Sequence, residues 1–223
     1  MISFKHVTKR FGRITALDGV TLDITAGERV ALIGTNGSGK TTLLRALCGL
    51  LRVEGRVELY GADVAREPEV ALRHLAYMPQ VAPPLDAPVR ELVRTACALR
   101  GRPVADVAER AARLGLDLEA VGRTRARDLS GGMKQKVLAA LALAAQTQVL
   151  VCDEPTANLD AHAREAFFSM VAKRPADSIL VVCSHRVDEV RKHVDRVIEM
   201  KDGRVARDVN VWETEELQLR SVR

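Results

Sequence analysis

Apolar and polar residues alternate in three short runs in the first part of the chain: ISFKHV (2–7), GVTLDI (19–24) and GRVELYG (55–61). A period of two sets one face of a strand against a core and leaves the other in water, so all three read as strands. ERVALIG (28–34) is more continuously apolar and predicts a more buried strand. The period then changes. KTTLLRALCGLL (40–51) carries its apolar residues at helical spacing. From about Val81 the texture turns rich in Ala, Arg and Leu, and APVRELVRTACALRGRP (87–103) and ADVAERAARLGL (105–116) predict helices in a patch that runs to about Ala145. Two strongly β runs follow, QVLVCDE (148–154) and SILVVCSH (178–185), with a helical segment between them. Strands alternating with helices make a largely parallel sheet with flanking helices, and the helical patch is then an insertion into that α/β domain. From Ala206 onward the chain predicts a short surface strand and helix and carries its single tryptophan, Trp212.

Composition changes this picture little. At 223 residues the chain suits one domain with subdomains and is long enough to bury a core without metals or disulfides. The net charge of +5 is spread along the chain and aromatics make up only 3%, so no interleaved basic and aromatic stripe points to nucleic acid. The four cysteines, Cys48, Cys97, Cys152 and Cys183, each lie in apolar stretches with no CxxC spacing, which suits free thiols in a reducing compartment and not a zinc site. Met1 leads straight into a strand with no signal-peptide pattern, and the longest apolar run, VLAALALAA (137–145), is far short of the ~18 residues that span a bilayer. A membrane role is therefore expected to come through a partner.

The candidate chemistry begins at Gly34-Thr35-Asn36-Gly37-Ser38-Gly39-Lys40-Thr41, which fits GxxxxGK[ST] between a predicted strand and a predicted helix, with Thr42 next. Glycines let the backbone turn tightly and aim N–H groups at a phosphate, and the helix adds its positive end. Lys40 is placed for the β- and γ-phosphates and the Thr41 hydroxyl for Mg²⁺. This loop alone leaves kinases, GTPases and many ATPases open. VLVCDE then ends an apolar strand on two carboxylates. A buried strand tolerates them only at its exit, where a cation or substrate offsets their desolvation. Asp153 suits a Mg²⁺ ion through its water shell, and Glu154 suits a general base for attacking water.

Leu129-Ser130-Gly131-Gly132-Met133 opens another helix. Ser130 is a good N-cap, and two glycines bare the backbone at the positive helix end, a second anion-seeking site in one chain. One ATP has one γ-phosphate, so two such sites suggest two chains facing each other. Gln80 in YMPQ, Asp160 in NLD, His185 in VVCSH and Phe11 complete the set. Taken singly, Gln80 reads equally as a loop residue, His185 as a satisfied core or surface residue, and Phe11 as a core residue of the β part.

Together and in this order the motifs resemble the ABC ATPase family over about residues 2–205. GTNGSGKT is similar to its Walker A loop, LSGGM to its signature, VLVCDEP to its Walker B strand, Gln80 to its Q-loop glutamine, NLD to its D-loop and His185 to its switch histidine. Phe11 falls where an aromatic stacks on adenine. The resemblance implies a P-loop NTPase core with an antiparallel β subdomain (residues 1–80 and 146–205), an inserted α-helical subdomain (81–145) carrying the signature, and an extension (206–223). It implies ATP and Mg²⁺, and two copies closing head to tail around two ATP molecules. Each ATP would lie between one chain's phosphate loop and the other's Ser130, Gly131 and Gly132. Gln80 would sense Mg²⁺ and relay closure to membrane-spanning permease subunits, and His185 would contact the γ-phosphate. The chain would then be a peripheral protein of the cytoplasmic membrane face, most simply a homodimer. Its compact length leans toward the ABC-2, copper-site maturation and haem-export branches. Met133 stands where glutamine is commonest in the family, which removes an expected contact near the partner nucleotide's ribose. A soluble ABC ATPase of an assembly or repair machine is the alternative. A coiled-coil chromosome type does not fit 113 residues between Lys40 and Asp153 without sustained heptads. A GTPase would need an NKxD-like motif, which is absent from the sequence.

Overall fold

The computed structural model describes residues 1–184 and 190–211. His185 and Trp212 lie outside the described residues. Two compact units divide the chain, one formed by residues 1–77, 147–153 and 176–223 and the other by residues 78–146 and 154–175.

The first unit holds most of two sheets. Strands β1 (Ile2–Phe11) and β2 (Ile14–Ile24) form a hairpin, and β4 (Glu54–Leu59) pairs antiparallel with the other edge of β1. The short β5 (Ala62–Asp63) completes the four-stranded order β2-β1-β4-β5. Alternation along these strands sends Ile2, Phe4, Val7, Leu17, Leu22, Val57 and Leu59 inward and most polar neighbours outward (Ser3 is buried as well), which fixes the register, since a one-residue slip would reverse every side chain.

The second sheet adds β3 (Arg29–Ile33), β6 (Leu75–Met78), β7 (Val149–Asp153), β8 (Ile179–Cys183), β9 (Arg196–Lys201) and β10 (Arg204–Asn210), in the order β10-β9-β3-β8-β7-β6. β9, β3, β8 and β7 run parallel, and β10 returns antiparallel to β9 at the edge. The expected strand after residue 206 is thus the second half of β10. Every residue of β7 and β8 is buried, as interior strands of a parallel sheet covered on both faces require. Helix α1 (Lys40–Leu47) buries Leu43, Leu44 and Leu47 in the same core.

The second unit is helical: α3 (Val89–Arg100), α4 (Val104–Arg113), the single turn α5 (Leu118–Val121), α6 (Gly131–Ala144) and α7 (Ala161–Ala172). (The remaining helix, α2, Pro68–Leu72, belongs to the first unit.) α4 begins after Pro103 and carries a strong apolar face through Val107 and Ala111. α6 is different. Val137, Ala139, Ala140, Ala142, Leu143 and Ala144 are all buried, so it is apolar nearly all round and packs as an interior helix. The longest apolar run of the sequence is the second half of this helix, and among the described residues no helix is long and apolar enough to cross a membrane.

Candidate nucleotide-binding site

The parallel strand β3 ends at Ile33 and the chain turns into α1 through Gly34–Gly39. Two of the glycines are required by geometry. Gly34 has φ +141°, and a Cβ there would meet the Met200 carbonyl oxygen. Gly39, the N-cap of α1, sits at φ +103°, where a Cβ would meet the carbonyl oxygen of Ala16. Only glycine adopts such conformations with the backbone so close on the far side. Thr35, Asn36 and Gly37 are exposed, Ser38 and Lys40 are buried, and Thr41 and Thr42 are half-buried on the first turn of α1. The Lys40 ammonium lies inside the loop, donating to the carbonyls of Gly34 at 2.8 Å and Thr35 at 2.9 Å and reaching Ser38 Oγ at 3.5 Å. Among the described residues it makes no ion pair.

Asp153 ends β7, separated from β3 in the sheet by β8, so both sites open at the carboxyl ends of parallel strands. It is 1% exposed, and neither carboxylate oxygen has a hydrogen-bond partner among the described residues. Its charge acts on two neighbours. The Cys48 thiol, just beyond α1, is pushed far up by burial and then by Asp153. The Tyr77 phenol on β6 is likewise raised by burial first and Asp153 second, opposed by a hydrogen bond with Arg45. A buried ammonium and a buried carboxylate in one unit, each without an ion-pair partner among the described residues, form a half-made site. An anion with several oxygens and a small divalent cation would complete it: the ammonium could hold phosphates, and the Thr41 hydroxyl and Asp153 carboxylate are hard oxygen groups of the kind Mg²⁺ prefers. Among the described residues there is no cluster of three His, Cys, Asp or Glu side chains that could hold a metal ion.

The second unit carries the other expected residues. Ser130 Oγ accepts from the Met133 N–H at 3.2 Å and caps α6, leaving Gly131 and Gly132 at the helix start with Ser130 and Gly131 exposed. Glu154 is buried, with its backbone in the left-handed region at φ 50°. Asp160 is an N-cap: its carboxylate accepts from the Ala163 N–H at 2.8 Å and pairs with Lys136 at 2.7 Å, and these hold it down to about 2. Gln80 is exposed in the bend after β6. Phe11, in the first unit, is 48% exposed at the end of β1, with the Lys9 ammonium 5.2 Å from its ring centre.

One residue of this region was not anticipated. Gln135 is 2% exposed and donates from Nε2 to the Pro155 carbonyl at 3.0 Å and the Glu154 carbonyl at 3.4 Å. In the sequence it stands between two lysines just after the glycine pair, and nothing local marks it as inward-facing.

A glycine loop between a buried parallel strand and a helix, with an uncompensated lysine inside it and an uncompensated aspartate at a nearby strand exit, defines a P-loop nucleotide-binding protein. The family profile described as ABC transporter matches residues 17–157. A Halobacterium salinarum chain named as an ABC transporter ATP-binding protein is 36% identical over 214 residues, covering 92% of this chain and 91% of that one. The protein belongs to the ABC transporter family, and its fold is that of the family's ATP-binding cassette. The Caenorhabditis elegans ABC transporter ced-7 is 33% identical over 85% of this chain, which spans only 11% of that relative's length. Among solved structures, the dimeric post-hydrolysis state of an ATP-binding cassette bound to ADP and phosphate superposes with a TM-score of 0.83 at 27% identity, covering 95% of this chain and 99% of that one.

Proposed function

We propose that this chain is the ATP-hydrolysing motor subunit of an ABC transporter, converting ATP and water to ADP and phosphate to move separate membrane-spanning permease subunits. The observation that carries the reading is the pair of buried charges, Lys40 and Asp153, at the carboxyl ends of the parallel strands, neither with an ion-pair partner among the described residues. Such a pair costs several kcal/mol of desolvation and is retained where a ligand neutralises it. The Gly34–Gly39 loop and Lys40 bind the phosphates of ATP, with Thr42 beside them and Phe11 offering a ring face to adenine. Mg²⁺, when bound, draws charge from the phosphates. Thr41 would hold it by its hydroxyl and Asp153 through its water shell, and Gln80 would sense it.

Glu154, the next residue after Asp153, accepts a proton from the attacking water, and His185 contacts the γ-phosphate. Ser130, Gly131 and Gly132, at the mouth of the helical subdomain (81–145), face the ATP held by a second copy, with Asp160 close to that junction. A dimeric cassette with ADP and phosphate among the structural neighbours supports this arrangement. Two copies of this chain would thus enclose two nucleotides. On this reading the chain does its work on the permease from the cytoplasmic face of the membrane. The relatives named as transporter proteins favour this reading over a soluble assembly machine.

The test is Glu154→Gln, which keeps the shape of the side chain and removes its basicity. A positioned base contributes about 10²–10⁴-fold. The variant is expected to bind ATP as the wild type does and to hydrolyse it at least about tenfold more slowly. Undiminished phosphate release would remove Glu154 from the reaction.

A further inference from the structure

Two elements named above, the signature helix α6 and the segment that carries Glu154, are fastened together along one helical face. Gly132, Gln135 and Lys136 are spaced i, i+3 and i+4 and so share a side of α6. Gly132 abuts Asn158, whose carbonyl oxygen would be 3.0 Å from a Cβ at that position. Lys136 pairs with Asp160 at 2.7 Å. Gln135 lies between them and reaches the residues nearest the chemistry. Its amide nitrogen carries two N–H donors, and two carbonyls stand against it, Pro155 at 3.0 Å and Glu154 at 3.4 Å.

The carbonyl so held belongs to a strained residue. Glu154 has φ 50°, a conformation that costs a non-glycine residue free energy and persists only where surrounding contacts over-determine it. Rotation about the N–Cα bond of Glu154 would relieve the strain, and it would carry the Glu154 carbonyl and side chain round together. Resting on the reading of Glu154 as the base, we propose that Gln135 is a positioning residue for hydrolysis. Its buried amide pins the Glu154 and Pro155 carbonyls and thereby fixes the aim of the Glu154 carboxylate. Because Gln135 sits one turn into α6 from Ser130–Gly132, the same bond ties the aim of this chain's base to the helix that meets the partner's nucleotide.

The experiment is a double-mutant cycle on the full chain, with Gln135→Met, Glu154→Gln and the pair, measuring kcat and KM for Mg-ATP. Methionine matches the length of glutamine and donates no hydrogen bond. The expected result for Gln135→Met is a roughly ten- to hundredfold loss of kcat with KM held within about twofold. Acting through Glu154, it adds no more than about twofold to the loss already caused by Glu154→Gln. Losses that multiply in the pair, or an unchanged kcat in Gln135→Met beside an inactive Glu154→Gln, overturn the inference and leave the assignment of the base standing. An active Glu154→Gln overturns that assignment instead, and the inference with it. Where Gln135→Met does not fold, Gln135→Glu replaces it. Its carboxyl faces two carbonyls, takes up a proton more readily than in water, and donates only when protonated. The kcat of this variant relative to wild type is then expected to climb as pH falls from about 8 to about 6, and a ratio independent of pH overturns the inference.

Discussion

Asp153→Asn removes one negative charge from a position 1% exposed whose two carboxylate oxygens have no hydrogen-bond partner among the described residues. A buried ion retains an effective penalty of several kcal/mol, while a buried neutral amide left unpaired costs about 1–3 kcal/mol. The difference favours the amide, so the nucleotide-free protein should gain about 1–3 kcal/mol on substitution. For a chain of this length 1 kcal/mol moves the melting midpoint by about 2–4 °C, giving an expected rise of about 2–12 °C. With Mg-ATP the order reverses. Wild type is stabilised by about 2.7 kcal/mol at one hundred times the dissociation constant. The variant lacks the carboxylate proposed to hold the water shell of Mg²⁺ and should lose the Mg²⁺-dependent part of that gain. Thermal melts of both proteins, with ATP and EDTA or with ATP and Mg²⁺, read all of this at once. A lower melting point for ligand-free Asp153→Asn, or an undiminished response to Mg²⁺, would refute the view that this carboxylate is held at a cost for the metal.

Gly39→Ala should lose both stability and nucleotide binding, because φ +103° is strained for any L-residue and the new Cβ runs into the Ala16 backbone carbonyl. A drop of at least about 2 kcal/mol in a urea titration is expected, and a change within about 0.5 kcal/mol would contradict the geometry. The Asp160 carboxylate, held at about 2 mainly by Lys136 against an ordinary 3.8, predicts a pH dependence whose sign follows from the lowered value. Its contribution is complete above the unfolded value and is lost as pH falls from there toward about 2. Lys136→Met should raise this carboxyl toward 3.8 in an NMR titration, and an unmoved value would show that the Ala163 N–H alone sets it.

Most of the architecture was legible because its signals are local. The phosphate loop is contiguous, its glycines are demanded by backbone angles that leave few other residues, and its flanking strand and helix announce themselves by period. β7 and β8 could be found from the same kind of signal, short continuous apolar runs rich in β-branched residues, as interior parallel strands need. The order β10-β9-β3-β8-β7-β6 was not legible, since it depends on pairings between residues far apart in the chain, such as Arg29 with Leu180 and Val30 with Arg196, that no window along the chain contains. Burial of individual polar side chains was equally out of reach. Gln135 lies in GGMKQKV between two lysines, and its inward turn follows from α6 being packed nearly all round, a property of the neighbours. Asp160 shows a further limit. A carboxylate in NLD was read for its nearness to nucleotide, whereas within the chain it caps α7 and pairs with Lys136. The strain at Glu154 comes from the turn after β7 and leaves no trace in residue type, because glutamate carries no special tolerance for positive φ.

The central claim is that two copies of this chain close on ATP and reopen when it is hydrolysed. Light scattering on Glu154→Gln with and without Mg-ATP tests it most directly, because slowing hydrolysis holds the closed pair. The account predicts a mass near the 24.4 kDa of one chain without nucleotide and twice that with Mg-ATP, returning to one chain with ADP. A protein that binds ATP in this variant yet stays at 24.4 kDa at high protein concentration would contradict it.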